Sequence, residues 1–416
     1  MASFQFEGAL EGISEKQQQF IREVLENRGF ANNKVLFEPA SKAGDNYIAN
    51  VKRITVKVDG GNDFKMIAKI APQIDGVRSM TNAKVLFNNE IIMYEQVIPK
   101  FKSLQKEADV PEKDRLKFAQ CYGCLSEEPH EVILLEDLKV LDYTMLDRLS
   151  TMNEDAVLLV LKNFAILHSM SFVLKHLEPE TYKSVSSRLV PQWRNMFHRQ
   201  EVIAHMEHIE NGALEVLDDE NYKKAIRGTV SRTHTLIDKN IKHENPKYFV
   251  IQQGDGWTNN IMFKLNGDKP VDSIMIDYQM SSETSPVADL LYFIFLCTDH
   301  ATRSKHYLQW IDYYHEQLEK SLSEYGLKAN FVYPKDHLDA ELKRYSRVYL
   351  GVVILLTSVI SRNTEEAAEM HDVISNLDEG KLEDLQLGSL SGDTVTKYKH
   401  SLQGLVDSYR QFGYLS

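Results

Sequence analysis

The sequence predicts an α+β fold with two lobes, a small β-rich N-terminal lobe and a large, mostly helical C-terminal lobe. Short runs rich in β-branched residues, separated by Gly- and Asn-containing turns, fill the region before residue 135. Apolar residues at helical spacing dominate from residue 143 onward, with one β-rich interruption at 248–278. We therefore expect an N-terminal lobe at 1–135, a connection at 136–142 and a C-terminal lobe at 143–416.

The N-terminal lobe is predicted to begin with a helix and to continue as an antiparallel meander. Ser14 and Gln17 form the pattern of a capping box, and an apolar helical stripe follows it as far as Gly29. Strands are predicted at 35–37, 47–58 and 64–70, and then a helix at 82–98 that Pro99 ends. A second hairpin is predicted at 118–125 and 131–135.

Helices are predicted through most of the C-terminal lobe. Apolar spacing places them at 155–170, 193–210, 221–239, 303–323, 337–361 and 394–411. The most apolar run, 348–360, is shorter than the roughly 20 residues that a membrane span needs. We therefore expect a buried helix there and no membrane partner.

Composition indicates a soluble globular protein and limits its partners. The net charge is −12, whereas nucleic acids and anionic membranes both require a basic surface. The N-terminus lacks the pattern of a signal peptide, and the chain has three cysteines, so a cytoplasmic location is expected. The spacing of Cys121 and Cys124 fits a metal or redox pair, but no second pair of metal ligands accompanies it, which favours cysteines on a buried strand. No protein partner can be inferred.

Two carboxylates and an amide in the β-rich interruption form a pattern that suits phosphoryl transfer. Asp255 ends one apolar strand, Asn260 follows five residues later, and Asp277 ends the next strand. In such chemistry one carboxylate accepts the proton of the attacking hydroxyl group. The amide oxygen and the second carboxylate are suitable ligands for Mg²⁺.

The N-terminal lobe supplies two charged residues that complement this pattern. Lys69 lies inside an apolar strand, where an ammonium group needs a partner, and Glu90 on the following helix can provide it. In kinases such a pair positions the lysine against the nucleotide phosphates. The turn that contains Gly44 and Asn46 lies between the first two strands, where a loop would cover those phosphates.

The chain resembles the ecdysteroid kinase-like family of insects, which belongs to the CHK kinase-like group and is related to choline and aminoglycoside kinases. The matching segments are GDNY at 44–47, the strand with Lys69, FNNEIIMYEQVIPKF at 87–101, LLEDL at 134–138, LHSMSF at 167–172, GDGWTNNIMF at 254–263, IDYQ at 276–279 and SPVADLLYF at 285–293. They span both lobes in order. The resemblance implies a bilobal, protein-kinase-like fold.

The resemblance also implies roles for individual residues. Asp255 would be the catalytic base, Asn260 and Asp277 would bind Mg²⁺, and Lys69 would contact ATP phosphates with Glu90 as its partner. The connection near the adenine would consist of Leu135, Glu136, Asp137 and Leu138, while Gln253 and Asp289 would support the catalytic loop.

Two residues depart from the family pattern, which usually has histidine at position 253 and a larger apolar residue at position 256. Gln253 has a donor and an acceptor and can keep one supporting hydrogen bond. Gly256 is expected to loosen the turn. Among the aromatic residues, Tyr292 is expected to be part of the core, and Trp193 fits either a core position or stacking on a substrate.

These observations favour an ATP- and Mg²⁺-dependent kinase that phosphorylates a hydroxyl group of a small molecule. By resemblance, the first candidate acceptor is an ecdysteroid or a related hydroxylated steroid. The alternative is a weakly active or inactive kinase-fold protein that binds a nucleotide or a lipophilic ligand. A protein kinase is disfavoured because HRD and APE segments are absent from the sequence, and IDYQ stands where DFG would be.

Overall fold

The computed structural model describes residues 4–40, 50–363, 365–369 and 392–415. Its N-terminal part is built around one six-stranded sheet with strand order β1-β2-β3-β4-β6-β5. All pairings in this sheet are antiparallel except that of β1 with β2. The strands are β1 Gln5–Gly8, β2 Lys34–Pro39, β3 Asn50–Val56, β4 Phe64–Ile70, β5 Cys121–Leu125 and β6 Val132–Glu136.

Helix α1, Glu15–Asn27, packs on this sheet and begins with the predicted capping box, in which Ser14 and Gln17 bond reciprocally. Its apolar face buries Ile21 and Leu25 against the β-branched residues of the central strands. Gly123 on β5 permits the close approach of the helix, since an added Cβ would lie 3.2 Å from the side chains of Phe20 and Val24.

A long helical segment follows β4 and extends beyond the helix end that the sequence predicts at Pro99. The helices α2 Asp75–Thr81 and α3 Ala83–Ile92 are followed by a π-helical turn, Met93–Val97, and then by α4, Ile98–Glu107. The predicted end at Pro99 is wrong, because the helical path continues for two further turns. Pro99 lies in the first turn of α4, where a missing N–H is tolerated, and the wider π turn precedes it.

The C-terminal part is mostly helical and surrounds α5. The helices are α5 Glu154–Leu177, α6 Pro179–Ser186, α7 Gln192–Met196, α8 Gln200–Val216, α9 Glu220–Ile226, α10 Thr233–Ile241, α11 Val287–Cys297, α12 His300–Ser323, α13 Ala329–Val332, α14 Lys335–Ile360 and α15 Gly392–Gln411. Residues 365–369 add one helical turn. Helix α5 is long and apolar enough to cross a membrane, but 78% of its most apolar stretch is buried inside the fold, as in a core helix.

Short strands interrupt these helices and position the candidate site. Strands β7 Tyr143–Met145, β9 Ile261–Asn266 and β10 Lys269–Met275 form one antiparallel sheet, while β8 Val250–Ile251 pairs with β11 Glu283–Thr284. The loops after β8 and β10 hold Asp255 and Asp277, and a backbone hydrogen bond of 2.9 Å from Ile276 N to Asn260 O joins them. The β-rich N-terminal and helical C-terminal parts match the predicted α+β class. The predicted lobe boundary at 136–142 stays a prediction.

The turn after β8 is packed tightly against α5, contrary to the expectation that Gly256 would loosen it. A Cβ at residue 256 would lie 2.6 Å from Cζ of the buried Phe164 ring. Gly254, with φ +88°, is equally constrained, since a Cβ there would lie 2.3 Å from the Met280 carbonyl oxygen. Glycine is therefore required at both positions by close packing.

We predict that Gly256→Ala lowers the free energy of unfolding by about 1–3 kcal/mol, because the added methyl group displaces the Phe164 ring. Denaturant unfolding monitored by circular dichroism measures this loss. Gly212→Ala is the matched control, since Gly212 lies within α8 with no heavy atom within 4 Å of an added Cβ. The control should gain up to about 1 kcal/mol from helix propensity. Equal stability changes in the two variants would contradict the packing argument.

Candidate active site

The central charge of the candidate site is the ammonium group of Lys69, which is 6% exposed. Lys69 lies near the end of β4, and its Nζ is 2.5 Å from Oε2 of Glu90 on α3. The ion pair predicted from the sequence is therefore present. Nζ also lies 2.7 Å from Oδ1 of Asp277 and 3.3 Å from Oε1 of Gln279. One buried cation thus joins the N-terminal sheet to the loop after β10.

Burial and opposite charge compete at this cluster. Burial alone would lower the pKa of Lys69, but the carboxylates of Asp277 and Glu90 outweigh it and raise the pKa. Lys69 therefore remains protonated at neutral pH. Burial raises the pKa of Glu90, against the opposing effect of Lys69.

Asp255 has both carboxylate oxygens occupied by protein donors. Nδ2 of Asn260 donates to Asp255 Oδ2 at 2.9 Å, and the phenol of Tyr292 donates to Oδ1. Burial, followed by the nearby charge of Asp277, raises the pKa of Asp255 to about 8. The hydrogen bonds from Tyr292 and Asn260 act in the opposite direction because they favour the ionised carboxylate.

Asp277 adopts a left-handed backbone conformation, with φ +59°. A residue other than glycine is strained in this region and persists there only when its surroundings fix it. Here Lys69 binds Oδ1, and Nε2 of Gln279 lies 3.3 Å from Oδ2. These contacts hold the Asp277 carboxylate beside Lys69.

Gln253 is fully buried and connects the two functional loops. Its Nε2 donates to the carbonyl oxygens of Ile276, at 2.9 Å, and Asp277, at 3.0 Å. Its Oε1 accepts a hydrogen bond of 2.7 Å from Asp255 N. The side chain therefore makes three hydrogen bonds, more than the one expected from the sequence, and sets the spacing between Asp255 and Asp277.

Asp289 supports the same loop from α11, as expected. Its two carboxylate oxygens accept hydrogen bonds of 2.9 Å from the backbone N–H groups of Gln253 and Gly254. His168 on α5 contacts Asp289 through Nε2 at 3.1 Å and Tyr314 through Nδ1 at 2.8 Å. The acid is 1% exposed and acts on the backbone of the loop, away from the cleft.

A cleft of about 180 Å³ adjoins Lys69 and Asp277. The predicted connection lines it, since Leu135, Glu136, Asp137 and Leu138 all contribute to its wall. The Asp137 carboxylate is already paired, with Oδ2 2.6 Å from Nε of Arg53 on β3. Gly44 and Asn46 lie outside the residues that the structure describes.

The apolar surface of this cleft comes from Ile67, Ala119, Met145, Met262 and Ile276. Such a surface suits the flat face of a nucleotide base.

The cleft contains polar atoms that are available for a nucleotide and a metal ion. Nδ2 of Asn259, which lines the cleft, is buried without a hydrogen-bond partner among the described residues. Asn260 uses its amide nitrogen to bind Asp255, which leaves its oxygen for a metal ion. Magnesium is typically held by one or two carboxylates together with substrate phosphates, so Asn260 and Asp277 fit this ion. The described residues contain no cluster of three or more His, Cys, Asp or Glu side chains that could hold a metal.

Sequence reasoning missed three residues of this site. Tyr292 was assigned to the core and is buried there, but its hydroxyl group reaches Asp255. No helix was predicted over α11 from the sequence, and Tyr292 lies three residues after Asp289 on that helix, so recognising the helix is the signal that could have identified it. Trp193 donates from Nε1 to the Gly254 carbonyl oxygen at 2.8 Å, and Gln279 contacts both Lys69 and Asp277.

Cys121 and Cys124 lie on β5 with their sulfur atoms 3.5 Å apart. Both are half-buried free thiols. Their position on a partly buried strand agrees with the structural reading of this pair.

We predict that Gln253→Glu lowers the free energy of unfolding by about 3 kcal/mol, because a buried carboxylate would face two carbonyl oxygens. Chemical denaturation measures the loss. The neighbouring Gln252→Glu is the control, since Gln252 is also buried and its side chain faces the Ser282 hydroxyl, which can turn and donate. The control should lose about 1 kcal/mol, and an equal loss in both variants would refute the role given to Gln253.

Comparison with solved structures finds aminoglycoside phosphotransferases. A GDP complex of an aminoglycoside 2'-phosphotransferase-IIIa variant is 11% identical, covers 95% of this chain and 98% of its own, and gives a TM-score of 0.42. The GDP and kanamycin complex of APH(2'')-IIIa is 15% identical, with coverages of 86% and 99% and a TM-score of 0.40. An ADP and streptomycin complex from Streptomyces rimosus is 15% identical, with coverages of 82% and 99% and a TM-score of 0.33.

No protein with a curated function matches the chain. The model of the ecdysteroid kinase-like family matches residues 43–327. This range contains Lys69 and Glu90, the loop with Asp255 and Asn260, and Asp277. The chain therefore belongs to the ecdysteroid kinase-like family.

Proposed function

We propose that this protein is a cytoplasmic, ATP- and Mg²⁺-dependent kinase that transfers a phosphoryl group to an alcohol hydroxyl of a small molecule, with ecdysteroids as the first acceptors to test. The observation that carries the proposal is the convergence of four side chains, of which Lys69, Asn260 and Asp277 line the cleft and Asp255 is bonded to Asn260. Lys69 contacts Asp277 at 2.7 Å, and Asn260 contacts Asp255 at 2.9 Å. The backbone bond between Ile276 and Asn260 joins these two pairs.

Lys69 is the proposed ligand for the nucleotide phosphates. Its ammonium group is held by Glu90, which is fully buried. The contact with Asp277 is the one that a phosphate oxygen can replace. Loss of Glu90 would leave this cation without its fixed partner, so Glu90 is a positioning residue.

Asn260 and Asp277 are the proposed ligands of Mg²⁺. The ion, when bound, neutralises charge on the phosphates of the nucleotide. The Asp277 carboxylate is held by Lys69 and Gln279, and the Asn260 oxygen is left free by the bond from its nitrogen to Asp255. Contacts within the protein therefore position both of the proposed oxygen ligands.

Asp255 is the proposed general base. It accepts the proton of the acceptor hydroxyl, and a base with a pKa near the working pH is the most effective in such a role. The bonds from Asn260 and Tyr292 fix the orientation of its carboxylate. Gln253 accepts a hydrogen bond from the N–H group of Asp255, and Asp289 accepts from the N–H groups of the two preceding residues.

A second candidate function is nucleotide or lipophile binding without phosphoryl transfer. The occupied oxygens of Asp255 favour it, because an acceptor hydroxyl must exchange with Tyr292 or Asn260 to reach the carboxylate. The complete set of Lys69, Asp255, Asn260 and Asp277 favours the enzyme. An ATP-consumption screen over hydroxylated steroids and small alcohols, followed by mass spectrometry for an added phosphate, separates the two. ATP binding without a phosphorylated product would support the second candidate.

We predict different losses for two isosteric changes. Asp255→Asn should lower turnover by about 10²-fold or more, because the base is lost, while ATP affinity changes little. Asp277→Asn should also weaken Mg²⁺-dependent ATP binding, because a metal ligand is lost. Steady-state kinetics and calorimetric titration with ATP, each with and without Mg²⁺, measure both effects. Equal, large losses of ATP affinity in the two variants would show that the roles are misassigned.

We predict that Tyr292→Phe shifts the rising limb of the pH–rate profile to higher pH. The phenol stabilises ionised Asp255, so its removal raises the pKa of the base above its already elevated value of about 8. Turnover should fall several-fold at pH 7 and recover at pH 9. Tyr409→Phe is the control, because that buried hydroxyl group has no hydrogen-bond partner among the described residues. A limb that stays in place or moves to lower pH contradicts the assignment.

A further inference from the structure

The thiol groups of Cys121 and Cys124 face each other on β5, with their sulfur atoms 3.5 Å apart. In a regular strand, residues three apart point to opposite faces and lie about 10 Å from each other, so their side chains do not meet. Strand β5 is irregular here, because the two steps from Cys121 to Gly123 pass a single step on β6, from Leu135 to Leu134. Such a bulge re-aims the side chains around it, and it therefore brings both thiols to one face of the sheet.

The packing of β5 shows the same arrangement of its faces. Cys121 and Cys124 both pack against the large core cluster that contains Tyr94 of the π-helical turn. Tyr122, between them, packs against the separate cluster that α1 forms with the sheet. The two thiols are half-buried, so a small oxidant can reach them from the solvent, whereas the third cysteine, Cys297, is buried.

The two thiols differ in their readiness to ionise. With Cys124 as the donor, the hydrogen bond between them lowers the pKa of Cys121, against the effect of burial. The same contact, followed by burial, raises the pKa of Cys124. The carboxylates of Glu95 and Glu90 act on both thiols in the direction of burial. Because the thiolate is the attacking species in disulfide exchange, Cys121 is the first thiol to react and Cys124 the second.

The bulge on β5 adjoins the wall of the nucleotide cleft. Cys121 lies opposite Leu135 on β6, and Leu135 lines the cleft. The preceding residue, Gln120, is bonded twice to Glu136, which also lines the cleft. Gln120 N donates to Glu136 Oε2 at 3.1 Å, and Glu136 N donates to Gln120 O at 2.8 Å. A displacement of Cys121 is therefore passed to two residues of the cleft wall.

A second connection runs from the thiol face through the π-helical turn, which packs on β5. The ring of Tyr94 on this turn meets the ring of Tyr278 edge to face, with centroids 5.8 Å apart. Both tyrosines are buried, and Tyr278 directly follows Asp277, whose carboxylate binds Lys69. Two packed rings thus lie between the thiols and the proposed phosphate and metal ligands.

We propose that Cys121 and Cys124 form a reversible oxidation site, in which an intrachain disulfide weakens binding in the nucleotide cleft. The oxidant is a low-molecular-weight disulfide such as oxidised glutathione. Cys121 gives up its proton and attacks one sulfur of the oxidant, whose S–S bond breaks and releases one thiol. Cys124 then gives up its proton and attacks the Cys121 sulfur, which forms the intrachain bond and releases the second thiol. The two cysteines together lose two electrons and two protons, and the oxidant takes up both.

Formation of the disulfide must move the strand. The sulfur–sulfur distance has to shorten from 3.5 Å to about 2.05 Å. The bulge takes up this change, and Leu135, which is paired with Cys121, moves with it. The effect on nucleotide binding rests on the proposed function, whereas formation of the disulfide does not. By linkage, bound nucleotide should shift the equilibrium towards the free thiols by the same factor as oxidation weakens its binding.

Peptide mass spectrometry of the full-length protein, equilibrated with mixtures of reduced and oxidised glutathione, tests the oxidation site. We expect a loss of two hydrogen atoms from the peptide that contains Cys121 and Cys124, reversal by dithiothreitol, and a free thiol at Cys297. Cys124→Ser should retain one glutathione on Cys121, whereas Cys121→Ser should retain far less on Cys124. Free thiols at both positions under excess oxidised glutathione, or more glutathione on Cys124 than on Cys121 in these variants, would overturn the proposal.

Calorimetric titration with ATP and Mg²⁺ measures the effect of oxidation on the cleft. Oxidation should weaken ATP binding to the unaltered protein by about fivefold or more. Cys121→Ser is the matched control, since it lacks the attacking thiol, and its ATP affinity should be the same before and after treatment with oxidised glutathione. An oxidised protein that binds ATP as tightly as the reduced one overturns the coupling between the thiols and the cleft.

Hydrogen exchange separates a failure of this proposal from a failure of the proposed function, because it needs no nucleotide. Oxidation should speed exchange at the amides of β6, and Cys121→Ser should show no such response. Faster exchange at β6 in a protein that binds no ATP in either state supports the oxidation site and refutes the nucleotide function. ATP binding that is unaffected by oxidation, with unchanged exchange at β6, supports the nucleotide function and refutes the oxidation site.

Discussion

The buried ammonium group of Lys69 is the contact on which the rest of the site depends. It joins β4, α3 and the loop after β10 through bonds to Glu90 and Asp277. Removal of one partner from such a buried charge cluster costs about 3–5 kcal/mol, because an uncompensated charge remains. The cluster therefore fixes how the N-terminal sheet sits on the catalytic loop, and it also keeps a cation beside the cleft.

From that contact, the position of the proposed base follows through the backbone. Asp277 is held in a left-handed conformation, and Gln253 spans from its carbonyl oxygen to the N–H group of Asp255. Close packing of Gly256 against the Phe164 ring on α5 also fixes this turn. Gln253 makes three hydrogen bonds, and Gly256 has no free space around it. These two features explain why the loop is well defined although both residues depart from the family pattern.

The sequence was sufficient to predict the features that depend on local pattern and charge. Lys69 in an apolar strand required a partner, and Glu90 on the helix that follows was the candidate. Features that depend on distant packing were not accessible. Its aromatic character predicts that Tyr292 is in the core without showing where its hydroxyl group points, and the π turn before Pro99 has no signal in residue type. The nucleotide cleft is built from segments far apart in the chain, so no local pattern describes it.

Helix α11 combines two tasks at positions fixed by its geometry. Asp289 in its first turn holds the backbone of the catalytic loop, and Tyr292, three residues later, contacts the proposed base. Residues three apart lie on the same face of a helix, so both side chains reach the same loop. One buried helix therefore sets both the backbone of the loop and the orientation of the Asp255 carboxylate, and a substitution that moves α11 is expected to disturb the two together.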